Sequence, residues 1–222
     1  MTKNFSAYFD ESAGEFMIGK IFFGVTAAAL LTVVGSLWID KLYRRSAELT
    51  FPEKISVRAQ FRRPLLFVAL TFLFVKISST PAPEIIFTAL AIWLLALMTA
   101  TDFEQYMLFD AMTLSLAIIG GIFSWYTGAN FFDVTAAAMI GGGFFLLLAA
   151  VTGALGGGDV KLIAALGLWL GCEKLLSVVL IGSIAGGVAA LLMILAHKKD
   201  RRSYFAYGPY FTLAAIYVML FR

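Results

Sequence analysis

The feature that most constrains this chain is the recurrence of apolar runs about as long as a bilayer is thick, each closed by charges, glycines or prolines. A helix needs about 20 predominantly apolar residues to cross the hydrocarbon core, whereas a membrane strand needs about half that and alternates polar with apolar. The runs here do not alternate, so they predict a bundle of helices and not a barrel. Composition agrees, since 61% of the 222 residues are hydrophobic and 14% are charged. Soluble domains carry about half apolar and about a quarter charged residues. The expected fold is all-α, a polytopic transmembrane helical bundle, with residues 1–222 forming one integral membrane domain.

The runs place about eight spans, near 19–39, 65–77, 85–101, 111–126, 131–153, 160–170, 175–196 and 204–220. The sixth is short and flanked by glycine. Ser78 to Pro83 and Thr127 to Asn130 read as turns, and Gly171-Cys172-Glu173-Lys174 turns the chain again. Residues 1–18 are polar and mildly acidic with no basic n-region, so no cleaved signal peptide is expected there. An outside N-terminus leaves twelve of the 17 Lys and Arg in inner segments and five in outer ones. The positive-inside rule therefore puts both termini on the outer, periplasmic side. The inner loop at about 40–63 alone holds seven basic residues, which set topology and meet anionic membrane lipids. Nucleic acid is not expected as a partner, because the basic residues punctuate spans and build no face. The lone Cys172 rules out an internal disulfide and a multi-cysteine zinc cluster. His197, beside Lys198 and Lys199, reads as an interfacial residue, and no metal site is expected.

Against this background two acids stand out. Asp159 follows Gly156-Gly157-Gly158 directly, at the inner start of the sixth span, and Asp102 ends the third span on the same side. A carboxylate at membrane depth costs roughly 2.5–3.5 kcal/mol on the lenient insertion scale, so each is a functional candidate by default. Glycines beside Asp159 admit close backbone approach. The earlier triplet Gly141-Gly142-Gly143, inside an apolar run, reads as helix packing. Two facing carboxylates cannot both ionise cheaply, so one pKa rises and the pair is poised to divide acid and base work in peptide hydrolysis. Competing chemistry is poorly supplied, with no GxxxxGK[ST] phosphate loop and one histidine for any serine triad. Three alternatives stay open on the residues: a small proton- or cation-coupled transporter using the two aspartates, a structural subunit whose acids bond between helices, and an intramembrane protease of the presenilin type. The last usually has tyrosine before the first aspartate, where Thr101 stands.

The segment Asp102-Phe103-Glu104-Gln105-Tyr106-Met107-Leu108-Phe109-Asp110 resembles the acid-x7-acid segment of type IV prepilin peptidases, and Gly156 to Leu162 resembles their GxGD segment. Gly35-Ser36-Leu37 with Tyr43-Arg44, and Tyr207-Gly208-Pro209-Tyr210, are similar to two further motifs of that family. The resemblance covers nearly the whole chain in order. It implies a GxGD-type membrane aspartic endopeptidase of the cell inner membrane, with Asp102 and Asp159 as catalytic pair at the cytoplasmic face. The implied substrates are type IV prepilins or pseudopilins, of pilus or type II secretion systems, which lose a short basic leader there. Hydrolysis needs no cofactor, and S-adenosylmethionine enters only with the N-methylation that many members add. Phe109 stands where the family usually has proline, and the loop at 40–63 lacks the zinc-binding cysteine module of many members.

Around the pair, Glu104 and Asp110 are candidates to meet the basic leader, or are ordinary solvated linker acids. Gly156 and Gly158 support the motif. Lys161 either orients Asp159 or anchors topology. Asp133 reads as a helix cap. Tyr207 to Tyr210 lines the site or belongs to the aromatic belt.

Overall fold

A computed structural model of the chain describes residues 3–47, 49–77, 82–153, 155–196 and 207–221, and the described part is helical throughout apart from short links. The helices are α1 (Lys3–Arg45), α2 (Ile55–Ala59), α3 (Arg62–Ile77), α4 (Ala82–Gln105), α5 (Asp110–Tyr126), α6 (Phe131–Thr152), α7 (Gly157–Leu195) and α8 (Gly208–Phe221). Among the described residues four segments are long and apolar enough to cross a membrane: 19–45, 83–105, 131–152 and 157–195. The shorter α5 and α8 are equally apolar in character, and the chain is a multi-pass membrane protein.

Helix boundaries follow local chemistry. The Asn130 side chain accepts the Phe132 N–H at 3.0 Å to open α6, and Gly153 closes it in the left-handed region at φ 61°. α1 runs past Asp40 to Arg45, six residues beyond the expected end of the first span. Charged residues end an apolar run without breaking a helix, so α1 continues out of the membrane. The loop after α1 then holds a 3-10 turn at Pro52–Lys54 and the short α2.

The 39 residues of α7 contain one break, at Gly171 (φ 71°, ψ 180°). A Cβ on Gly141 of α6 would lie 3.2 Å from Ile163 and 2.7 Å from Leu175. Those two residues would stand about 18 Å apart along a straight helix, so both reach one point of α6 only if the chain reverses between them. Residues 157–170 therefore run one way and 172–195 run back, two spans as expected, though helical geometry persists on either side of a single glycine. The Asp133 carboxylate lies where a Gly171 side chain would be, and it accepts the Cys172 N–H at 3.2 and 3.4 Å. Asp133 is thus a cap for the returning half of α7 and not for its own helix. The turn expected at Ser78–Pro83 lies mostly outside the described residues, as does His197.

α4 is the hub, with Ala91, Ile92 and Leu94 to Met98 buried, and it packs against α1, α3, α5 and α8. Gly35 of α1 lets Trp93 and Leu97 approach closely, Trp93 donates its indole N–H to the Leu31 carbonyl at 2.9 Å, and Thr99 and Thr212 share a 2.7 Å hydroxyl bond between α4 and α8. On α6, Gly141 and Gly142 meet α7, while a Cβ on Gly143 would meet nothing among the described residues. The outward residues of α1, α6 and α7, such as Phe22, Phe23, Leu146 and Leu191, are exposed and apolar, as a lipid-facing surface requires.

Candidate active site

Asp102 sits in the last turn of α4 and Asp159 in the first turn of α7, and both are buried, at 5% and 9% exposure. They come together at the start of α8. A Cβ on Gly208 would overlap the Asp102 carboxylate and stand 3.3 Å from Asp159 Oδ1. The two carboxylates therefore both approach one point beside the Gly208 backbone, within direct Coulombic reach. Each is also held by a backbone donor: Gly208 N–H donates to Asp102, and Gly156 N–H donates to Asp159 Oδ2 at 3.3 Å. The latter is the acid half of a capping box, in which the residue three into a helix reaches back to the N-cap. The glycines before Asp159 have different jobs. Gly156 is that N-cap, whereas Gly158 lets Leu108 approach, since a Cβ there would be 2.8 Å from Leu108 Cβ.

The end of α4 that carries Asp102 is closed by its own backbone and tied to the loop at about 40–63 by two side chains. Tyr106, at φ 54°, terminates the helix with its N–H on the Asp102 carbonyl at 2.9 Å. Gln105 pairs with both backbone groups of Phe51, accepting from N–H at 2.8 Å and donating to the carbonyl at 3.3 Å. Arg58 donates to the Phe103 and Glu104 carbonyls at 3.2 and 3.1 Å and stacks over the Phe51 ring at 3.8 Å. These carbonyls belong to the last turn of α4, where partners within the helix run out.

Glu104 is not a solvated linker acid, nor does it face the surface. It is 5% exposed and accepts from Tyr43 Oη at 2.9 Å and Arg62 Nη1 at 3.1 Å. Arg62, itself buried, also bonds Asp40 through Nη2, and neighbouring Arg63 donates to Ser36 at 3.2 Å. Ser36 and Tyr43, from the motif stretch at the end of the first span, are thus the α1 side of a joint with α3 and α4. Lys161 does not orient Asp159, because its ammonium is spent on Asp110 at 2.6 Å, in an exposed pair. Asp110, the second acid of the acid-x7-acid segment, is exposed and remains the one surface acid of the two leader candidates.

Two elements of this site were not assigned from the sequence. Arg62 stands in Arg62-Arg63-Pro64, which resembles a family segment after the inner loop, but the sequence gives it no partner, because the acid it meets is 42 positions away. Gly208 stands out in the sequence only as part of the Tyr207-Gly208-Pro209-Tyr210 motif, with no role of its own.

Residues 89–191, from α4 into α7, match the model of the type IV leader peptidase family. The matched stretch contains both Asp102 and Asp159. Among curated proteins the chain is 27% identical over 203 residues to the prepilin leader peptidase/N-methyltransferase of Aeromonas salmonicida, covering 88% of this chain and 67% of that protein. It is 31% identical over 172 residues to the enzyme of the same name from Pectobacterium carotovorum subsp. carotovorum, covering 74% and 62%. The Legionella pneumophila protein of that name is 30% identical over 145 residues, covering 61% of this chain and 50% of its own length. The chain thus spans about half to two thirds of these relatives. They lend no support to the transporter alternative. No solved structure matches the chain significantly. The family match runs through both carboxylates that the fold brings together, and over most of its length the chain is similar to type IV leader peptidases.

Proposed function

We propose that this protein is a membrane aspartic endopeptidase that removes the basic leader from type IV prepilins or pseudopilins. The observation that carries the reading is the meeting of the Asp102 and Asp159 carboxylates at Gly208. In the reaction, the ionised member of the pair takes a proton from water as its oxygen attacks the scissile carbonyl, and the protonated member donates to the carbonyl oxygen. Collapse of the tetrahedral intermediate returns a proton to the leaving amine. The two roles belong to the pair, since neighbouring carboxylates titrate together.

The orientation completes the proposal. Twelve basic residues on one side support an inner-membrane protein with periplasmic termini, with the pair at the cytoplasmic face. A substrate with a basic leader ahead of an apolar helix would present its junction there, and Asp110 is the exposed acid nearest in sequence to meet the leader. The whole chain acts as one peptidase domain, surrounded by membrane lipid. The relatives' names join leader cleavage to N-methylation, and S-adenosylmethionine serves only that second step.

The test is co-expression with a panel of prepilins and mass spectrometry of the substrate N-termini. Leader loss is expected with wild type and not with Asp102→Asn or Asp159→Asn, both still inserted. Full processing by either variant would overturn the assignment of the pair. The same spectra read whether the new N-terminus gains a methyl group.

A further inference from the structure

The first turn of α8 disposes of its backbone donors in an uneven way. A helix begins with N–H groups that lack partners within it. Here Pro209 has none to offer, while Tyr210 and Phe211 donate to the Tyr207 carbonyl at 3.0 and 3.4 Å. The Gly208 N–H is left over, and it goes to the Asp102 carboxylate. Glycine at 208 is not required by backbone conformation, since Gly208 is absent from the glycines with positive φ. What excludes a side chain is space, because a Cβ would overlap Asp102 and press on Asp159. The surrounding aromatic residues brace this turn: Phe211 packs edge-on to Phe145 at 5.3 Å and lies against Gly182, and Tyr207 lies against Gly186. The returning half of α7 thus holds the start of α8 against the pair.

We propose that Gly208 is a positioning residue for the aspartate pair, its bare backbone setting the gap between the two carboxylates and its N–H orienting Asp102. The proposal rests on Asp102 and Asp159 being the catalytic pair. It assigns Tyr207-Gly208-Pro209-Tyr210 a task that neither the acid-x7-acid nor the GxGD segment performs. Glycine permits contact with both acids, and proline removes the neighbouring donor, so that one N–H faces the pair. A methyl group at 208 displaces one carboxylate from the other and leaves the substrate-binding surface in place. A misplacement on the order of 1 Å at a reacting group costs about 100-fold in rate.

Gly208→Ala is therefore expected to lower kcat on a purified prepilin by about 100-fold with KM nearly unchanged. Wild-type turnover by Gly208→Ala would overturn the proposal. So would an equal fall in kcat and rise in KM, the sign of a general disturbance. A second measurement does not depend on activity: the thermal midpoint of Gly208→Ala, alone and combined with Asp102→Ala, in detergent. If the added methyl collides with the Asp102 carboxylate, the drop in midpoint shrinks when that carboxylate is removed. An equal drop in both backgrounds overturns the proposal. Should Gly208→Ala fail to insert, recovery of inserted protein on adding Asp102→Ala supports it, and no recovery overturns it. A wild-type protein that cleaves no prepilin would defeat the proposed function, while the midpoints would still decide the role of Gly208.

Discussion

Arg62 joins the loop between α1 and α3 to the bundle. Its guanidinium, 7% exposed, sits between Asp40 on α1 and Glu104 on α4, and Tyr43 donates to the same Glu104 oxygen that Arg62 does. Such a cluster adds little net stability as built, because desolvating the charges offsets their attraction, but removing one member leaves the other buried and unpaired at about 3–5 kcal/mol. Arg62→Met is expected to destabilise the protein by about that amount, and Arg62→Met with Glu104→Met by clearly less, measured by unfolding in detergent. Arg62→Lys is not a conservative change, since one ammonium cannot present a planar fork to two carboxylates. Because Glu104 is two residues from Asp102, the loss of Arg62 should also lower cleavage. None of this was legible in the residues one at a time. Glu104 looks like a linker acid until α3 folds over it, and its burial is decided by a partner far along the chain.

Among the elements, the reversal in α7 shows how little is needed to turn a membrane helix. One residue leaves helical geometry, and one carboxylate from α6 serves the freed N–H of the next. Asp133→Ala should therefore cost about 1 kcal/mol, the usual loss for an N-cap. Gly171→Ala should cost more, since it adds strain at positive φ and a collision with Asp133. Thermal midpoints of the two variants, compared in one detergent, check the order. The break itself was legible, as were the turn at 127–130 and the packing glycines of α6, because glycine and asparagine punctuate helices by local mechanisms. The identity of the capped helix was not, since Asp133 and Cys172 are separated by 39 positions. The extension of α1 to Arg45 was missed for a different reason: polarity marks where the bilayer ends, and a helix can pass that point.

On the scale of the whole molecule, topology is open to a direct chemical test. Cys172 is the lone cysteine and is exposed beside the α7 reversal, on the side opposite the aspartate pair. Intact cells treated with a membrane-impermeant maleimide should label Cys172, and should fail to label a Cys172→Ser/Lys54→Cys variant until the membrane is opened. The reverse pattern would invert the proposed orientation. The same reversal bears on how the lipid surrounds the protein. The outward half of α7, 14 residues from Gly157 to Leu170, is about 21 Å long, and α8, also 14 residues, is no longer. The hydrocarbon core is about 30 Å thick. In the proposed orientation, with their outer ends at the periplasmic interface, these two helices would stop short of the cytoplasmic one, and hydrophobic mismatch of this sign is met by local thinning of the bilayer. The inner leaflet would then be drawn towards Asp102 and Asp159, bringing water to the peptide bond that the proposed reaction cuts. Turnover in vesicles should accordingly fall as the acyl chains lengthen, because a thicker membrane resists the dimple the enzyme works in.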